Sequence, residues 1–499
     1  MTQPVSLSSN NGVMWLFLLI AAFYFLLLMG VSRLTAGEGS NDTFYRAERR
    51  SPWWAVAFGM LGASLSGVTF VSVPGMVRTS DMTYLQMCLG FIPSYVLVAF
   101  VLLPVYYHLG VTSIYTFLER RLGRSSYRTG AVFFLLSKFS GAAVRLYLVC
   151  VILQRLVFEP LGFPFGITAV IILLLIWLYT RRGGMATLVW TDCVQTLVLL
   201  AALVFIIAAI LEAEGWGILD AVTVVSDSSM SRVFEFQDWT SRQYFWKQFL
   251  SGLFIVVVMT GLDQDMMQKN LTCRTLHDSQ KNMMINGLLY LPVNVLFLSL
   301  GVLMYLFAAR HGITLPASGD EVLPLLCAHG YLGSGAMLCF ALGISAAAFS
   351  SADSALTSLT TCLCVDILQR PDHQHLRRRI HLAVAAAMLT FILLFRLIGN
   401  SSVIDAVYTI ASYTYGPLLG LFAFGLLLPD RIRPAGRTVP FVCLAAPVLC
   451  YMLSTLSSLC WDYHFGYELL LLNGALTFVG LWLSSRHQTC LSGDVPSQT

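Results

Sequence analysis

The chain is 499 residues long, 57% hydrophobic and only 11% charged, against roughly a quarter charged in soluble domains. That balance excludes a soluble globular protein and defines a polytopic membrane protein. The formal net charge of +4 does not point to a nucleic-acid partner, because basic residues of membrane proteins collect on the cytoplasmic side for topological reasons.

Apolar runs long enough to cross roughly 30 Å of hydrocarbon occur near residues 12–30, 53–76, 83–107, 129–153, 163–180, 185–211, 245–264, 282–309, 333–358, 380–399, 403–428, 438–457 and 467–485. They predict an all-α fold of about 13 transmembrane helices. The first run follows a polar lead without a basic segment or a small-residue cleavage site, so it reads as a retained helix. With the N-terminus outside, the alternate connections contain Arg46, Arg49 and Arg50, Arg120, Arg121 and Arg124, Lys269, Arg274 and Lys281, and Arg377, Arg378 and Arg379. About 21 Lys and Arg then fall inside against about 6 outside, which the positive-inside rule favours. The C-terminus is expected in the cytoplasm.

The second helix is interrupted by Gly62-Ala63-Ser64-Leu65-Ser66-Gly67, followed by Thr69, Ser72, Pro74 and Gly75. Glycine, small hydroxyls and proline together predict a broken helix that frees carbonyls at membrane depth to coordinate ions or solute. The alternative is a Gly/Ser face for close helix packing. The fourth helix carries Lys138 and Arg145 on one face. Arg145 is too central to reach an interface by extending along the helix, and a central arginine costs roughly 2.5–3.5 kcal/mol unless it pairs or lines a cavity. A guanidinium there suits a carboxylate through two parallel hydrogen bonds; its rival role is an internal pair with Asp192 or Asp353.

The sixth helix opens on a Gly-Gly run and buries Asp192 beside Thr191 and Gln195. An intramembrane carboxylate is a functional candidate, its alternative a structural pair with an arginine. The segment from Glu212 to Arg242 is expected as an irregular polar loop over the outer face. The seventh helix ends in Asp263-Gln264-Asp265, with Gln268-Lys269 beyond, polar enough for an inner-face elbow. The ninth contains Ala347-Ala348-Phe349-Ser350-Ser351-Ala352-Asp353-Ser354. Adjacent hydroxyls with the Ala347 carbonyl one turn earlier offer an oxygen-only cage for a hard cation, and sodium fits; the alternative is hydroxyls bonding back within their own helix. In the eleventh helix, Tyr408, Thr409, Ser412 and Tyr413 precede Tyr415-Gly416-Pro417, a gate or a kink. The cysteines, Cys88, Cys150, Cys193, Cys339, Cys443 and Cys450 among them, read as small buried hydrophobes, and Cys362-x-Cys364 lacks the second pair of a zinc site.

Taken together, the stretch Phe44–Trp54, the run into Trp190-Thr191-Asp192 with Gln195, Asp263-Gln264 with Gln268-Lys269, and Ala347-x-x-Ser350-Ser351 with Asp353-Ser354 resemble the sodium/solute symporter family of sodium/glucose, sodium/proline and sodium/iodide cotransporters. The resemblance covers about residues 40–430. It implies LeuT-type inverted five-helix repeats (about 53–211 and 245–428) within a core at 41–430, flanked by a peripheral helix and inner loop at 1–40 and by two helices and a cytoplasmic tail at 431–499. It places a sodium site on the carbonyls of Gly62, Leu65 and Ala347 and the hydroxyls of Ser350 and Ser351. Asp192, with Asp353 near it, falls on the cation's exit route. Thr69 stands where sugar carriers have a longer amide, and Ser64 where proline carriers have an acid; the run Ser66–Phe70 looks more like the iodide, monocarboxylate and multivitamin branch.

The expectation is a sodium-coupled symporter working by alternating access on a small solute, held by Ser64, Thr69, Arg145 and Tyr413 and most simply an organic anion such as a monocarboxylate or acidic sugar. A neutral sugar or amino-acid symporter, a solute sensor and an uncoupled channel are the alternatives. An enzyme is not expected, since no buried nucleophile with a His partner, no metal-ligand spacing and no nucleotide loop is present. Sodium, solute and lipid bilayer are the expected partners, with no obligate protein partner, in the plasma membrane (the inner membrane of a Gram-negative cell).

Overall fold

The computed structural model describes residues 11–37, 39–398, 403–429, 431–461, 463 and 465–487. The tail after Arg486 falls outside them beyond His487, as do the side chains of Tyr408 and Thr409. In hydrocarbon every backbone polar group must be satisfied within the protein, which leaves helices as the spanning form for such apolar runs. The spans are α1 (Asn11–Thr35), a bent pair α2 (Trp53–Ser64) and α3 (Gly67–Ser80), α4 (Tyr84–Leu109), α5 (Arg124–Leu153), α6 (Phe165–Gly183), and α7 (Met185–Glu214). A second bent pair follows, α8 (Phe245–Gly261) and α9 (Gln264–Asn270), then α10 (Leu276–Arg310), α11 (Gly333–Ile367), α12 (Gln374–Ile398), α13 (Val403–Leu427), α14 (Val439–Trp461) and α15 (Leu469–Leu483). Among the described residues ten helices are long and apolar enough to span, and the two bent pairs and the shorter α15 complete the thirteen runs read from hydropathy.

The order is that of two inverted five-span repeats, each opened by a bent pair: α2/α3 to α7, and α8/α9 to α13. The bends are 57° in the first pair and 67° in the second. The second one revises the expected elbow. The last turn of α8 widens to π geometry, with Leu262 N bonding both Val257 O (3.1 Å) and Val258 O (3.2 Å), and the chain then turns at Asp263 into a fully buried short helix. An acidic N-cap restarts a helix just as well inside a protein as in a loop.

The segment expected as an irregular loop also differs from expectation. Gly215 ends α7 in the left-handed region (φ 69°), and Ile218–Ser226 forms a helix that leaves Ile218, Leu219 and Val222 exposed, as an element lying along a membrane surface does. Beyond it the chain is strapped to the start of α4: Gln86 Nε2 donates to Gln243 O (2.8 Å), and Glu235 N donates to Gln86 Oε1 (3.0 Å).

The Tyr415-Gly416-Pro417 stretch stays within one helix, with its backbone repaired. Pro417 has no N–H for the carbonyl of Tyr413. Asn473 on α15 supplies the donor, its Nδ2 lying 3.0 Å from Tyr413 O and 2.9 Å from Ser412 O. Short strands β1 (Ile432–Pro434) and β2 (Ser485–His487) pair antiparallel, Ile432 opposite His487, and tie the end of α15 to the connection after α13.

Candidate functional site

The first break is built by glycine and serine. Leu65 N is the last amide of α2 to bond back, to Leu61 O at 3.0 Å, so the carbonyls of the final turn, Gly62 to Leu65, point past a helix end. Leu65 itself has left helical geometry (φ −84°, ψ 88°), and Ser66 caps α3 by accepting from Thr69 N at 3.4 Å. Small residues let neighbours come close. A Cβ on Gly62 would lie 1.9 Å from Thr196 Oγ1, and one on Gly59 would lie 2.9 Å from Asp192 Cβ. The helix α7 therefore presses Thr196 against the break and Asp192 against the turn before it.

From the other side α11 packs on both α2 and α3, and the space next to Gly67 is bounded by Ile344, one turn before Ala347. Ser350 Oγ donates to Asp192 Oδ1 at 2.8 Å. Ser351 Oγ is buried and has no hydrogen-bond partner among the described residues. Gly62 and Ser350 are thus brought to the meeting of α2, α7 and α11, Gly62 against Thr196 and Ser350 against Asp192 one turn earlier on α7.

Asp192 is not paired with an arginine. Its Oδ2 lies 2.7 Å from Lys269 Nζ on α9, and both side chains are buried. Lys269, grouped by sequence with the inner-loop cations, is 1% exposed. Asp353 lies one helical turn beyond Ser350. Its Oδ2 accepts from Tyr179 Oη at 2.6 Å, and its Oδ1 has no partner among the described residues. The Gln195 amide sits between the two carboxylates and donates to one at a time, to Asp353 Oδ2 at 3.4 Å in one amide orientation and to Asp192 Oδ1 at 3.1 Å in the other. Gln268, one residue before Lys269, donates to Tyr45 O (2.8 Å) and Thr361 Oγ1 (3.0 Å). A buried polar column therefore runs from the first break to the helix at Asn41–Arg46.

The second break is clamped differently. Tyr106 Oη donates to Gly261 O (2.9 Å) and Tyr115 Oη to Leu262 O (3.1 Å), which satisfies carbonyls freed by the bend. Asp263 caps α9 by accepting from Asp265 N at 2.8 Å, and accepts from Tyr415 Oη at 2.5 Å. Lys138 on α5 reaches both acids, 3.3 Å from Asp263 Oδ2 and 2.6 Å from Asp265 Oδ2.

Between the two breaks lies a cavity of about 1070 Å³, counting its open mouth, whose lining includes Ser64, Thr69, Lys138, Arg145, Asp263 and Tyr415. Its Tyr84 wall is shared with a wider vestibule lined by Arg78 and Arg242. Arg145 is half-buried there and makes no hydrogen bond or ion pair among the described residues. Neither Asp192 nor Asp353 pairs with it. Tyr413 does not line this cavity; its ring lies 6.3 Å from that of Tyr451 on α14. Two residues on, Tyr415 faces inward instead, because a step of two along an α-helix turns about 200°. The Asp263 cap and Tyr415 were not picked out as solute-site residues by sequence. An Asp-Gln-Asp run two residues after Gly261, at the end of an apolar stretch, was the available signal.

Inverted repeats, two helices broken at membrane depth, and a polar cavity between them define a secondary active transporter. The chain belongs to the Sodium:solute symporter family, whose sequence profile matches residues 44–436. It is 26% identical over 406 residues to the sodium/sialic acid symporter NanT of Aliivibrio fischeri, covering 78% of each chain. It is 27% identical over 449 residues to the human sodium/iodide cotransporter, covering 87% of this chain and 68% of that one. To the sodium/sialic acid symporter SiaT of Proteus mirabilis it is 25% identical over 423 residues, 81% of this chain and 82% of the other. Among solved structures, a substrate-bound outward-open Na+-coupled sialic acid symporter superposes with a TM-score of 0.80 at 20% identity, over 95% of this chain and 99% of that chain. The nucleobase-cation-symport-1 family transporter Mhp1 in a closed conformation matches at 0.56 and 14% identity, over 90% and 94%. The protein is thus a multi-pass, sodium-coupled symporter of a small solute, a transporter and not an enzyme.

Proposed function

We propose that the protein carries a small organic anion, an acidic sugar or a monocarboxylate, inward with sodium. The carrying observation is Arg145, a guanidinium in the cavity that holds Ser64 and Thr69, with no partner among the described residues. A solute carboxylate supplies the two parallel acceptors that such a fork lacks. The sialic acid symporters among its relatives are named for an acidic sugar. Ser64, Thr69 and Tyr415 add hydroxyls for the rest of the solute, while Tyr413 supports the core from outside the cavity.

Sodium in this reading is held by the carbonyls of Gly62, Leu65 and Ala347 and the hydroxyls of Ser350 and Ser351. Because Ser350 gives its proton to Asp192, both lone pairs on its oxygen stay available to a cation. Asp192 thus acts on the ion through Ser350, and Asp192 and Asp353 line its inward route. One sodium entering down ~100 mV contributes about 2.3 kcal/mol, about a fifty-fold solute gradient before the ion's own gradient is counted.

Residues 41–430 form the transport core in this reading, and the membrane is the plasma membrane, or the inner membrane of a Gram-negative cell. The N-terminus lies outside and the C-terminus in the cytoplasm; losing Lys269 from the inner-loop count leaves the basic bias in place. Uptake into proteoliposomes of labelled sialic acid, lactate, glucose, proline and iodide, with and without an inward sodium gradient, tests the assignment. Sodium-driven accumulation of a carboxylate supports it, and accumulation of neutral solutes alone refutes it.

A further inference from the structure

The two breaks sit in equivalent places in the two repeats, yet they are faced by different chemistry. The third span of the second repeat, α11, presents Ser350 to Asp192, which packs beside the first break. Its counterpart in the first repeat, α5, presents Lys138 to the second break, between Asp263 and Asp265. Those acids bring two carboxylates to one ammonium, and all three side chains are less than 10% exposed. Asp263 has further donors in Asp265 N and Tyr415 Oη. Asp265 Oδ1 is buried and has none among the described residues. Two carboxylates this close, away from bulk water, need a positive charge between them.

We propose that the Lys138 ammonium is a tethered cation, holding at the second break the place that a bound alkali ion takes at the first. The second break is then permanently charged and contributes no ion to coupling. Removing the ammonium while leaving both carboxylates would create a site for a free monovalent cation. A lysine suits this task, being a compact point charge on a flexible stem. Its three N–H donors can divide between two acids, as the observed 3.3 Å and 2.6 Å contacts show.

The comparison rests on the reading of the first break as the sodium site, and the experiment separates the two. Melting midpoints of purified wild type and Lys138→Ala are measured in choline, sodium and methylammonium chloride at equal ionic strength. Wild type should be raised by sodium and unmoved by methylammonium relative to choline. Lys138→Ala should melt lower in choline and be raised by several degrees in methylammonium, which supplies the missing ammonium as a free ion. A variant that does not respond to methylammonium overturns the tethered cation, whatever sodium does. A wild type indifferent to sodium instead overturns the first-break site. Should Lys138→Ala fail to accumulate, Lys138→Ala/Asp265→Asn, which removes one carboxylate along with the ammonium, is expected to accumulate; its failure also overturns the proposal.

Discussion

Lys269 Nζ lies 2.7 Å from Asp192 Oδ2, with neither side chain reaching solvent. The pair joins α7 of the first repeat to α9 of the second, just beneath the residues gathered at the first break. Removing one member leaves an uncompensated charge, which costs about 3–5 kcal/mol in buried pairs, whereas removing both is far milder. Lys269→Met should therefore lower the melting midpoint steeply, and Asp192→Asn/Lys269→Met should recover most of the loss. A double variant no more stable than Lys269→Met would show that the pair does not behave as a unit.

Ser350 and Ser351 should separate on stability while agreeing on sodium. Ser351 Oγ has no partner among the described residues, so Ser351→Ala should leave the melting point in choline close to wild type. Ser350→Ala also deletes the 2.8 Å bond to Asp192, a loss of about 1.5–3 kcal/mol for a hydrogen bond to a charged group. Both should raise the half-saturating sodium concentration about tenfold, the equivalent of about 1.4 kcal/mol per lost ligand. Unchanged sodium dependence of uptake in both variants would place the ion elsewhere.

For Arg145 the informative change is conservative. Arg145→Lys keeps the charge but cannot make the two parallel bonds, so the KM for a transported carboxylate should rise about tenfold or more, with sodium dependence retained. An Arg145→Lys transporter that keeps wild-type affinity for its carboxylate would remove the guanidinium from the solute site.

The packing of α2 on α7 sets a further expectation. Gly62→Ala would put a methyl 1.9 Å from Thr196 Oγ1, and overpacking of this kind costs about 1–3 kcal/mol. Thr196→Ala removes that oxygen, so Gly62→Ala/Thr196→Ala should melt above Gly62→Ala alone. If Gly62→Ala melts like wild type, the helices do not approach as closely as described.

What the chain by itself determined was local. Span number and position follow from hydropathy, because a helix must be apolar over its whole length to cross hydrocarbon. The first break was legible because glycine, serine and proline are the residues that interrupt a helix, and the Ser350-Ser351 pair because hydroxyls stand out in an apolar run. Facing was a different matter. Lipid-facing and core-facing positions of these helices are both apolar, so periodicity does not reveal which way Tyr413 or Tyr415 points, and only packing against α14 and the cavity decided it. The second break was hidden because the apolar run dissolves into Asp263-Gln264-Asp265, which reads as a loop until Lys138 and Tyr415 are seen to neutralise and bond the carboxylate inside the protein. Lys269 likewise resembles a surface cation in the sequence. Its partner lies 77 residues earlier, and ion pairing at that separation is a property of the folded bundle, where the desolvation of each charge is offset only by the other.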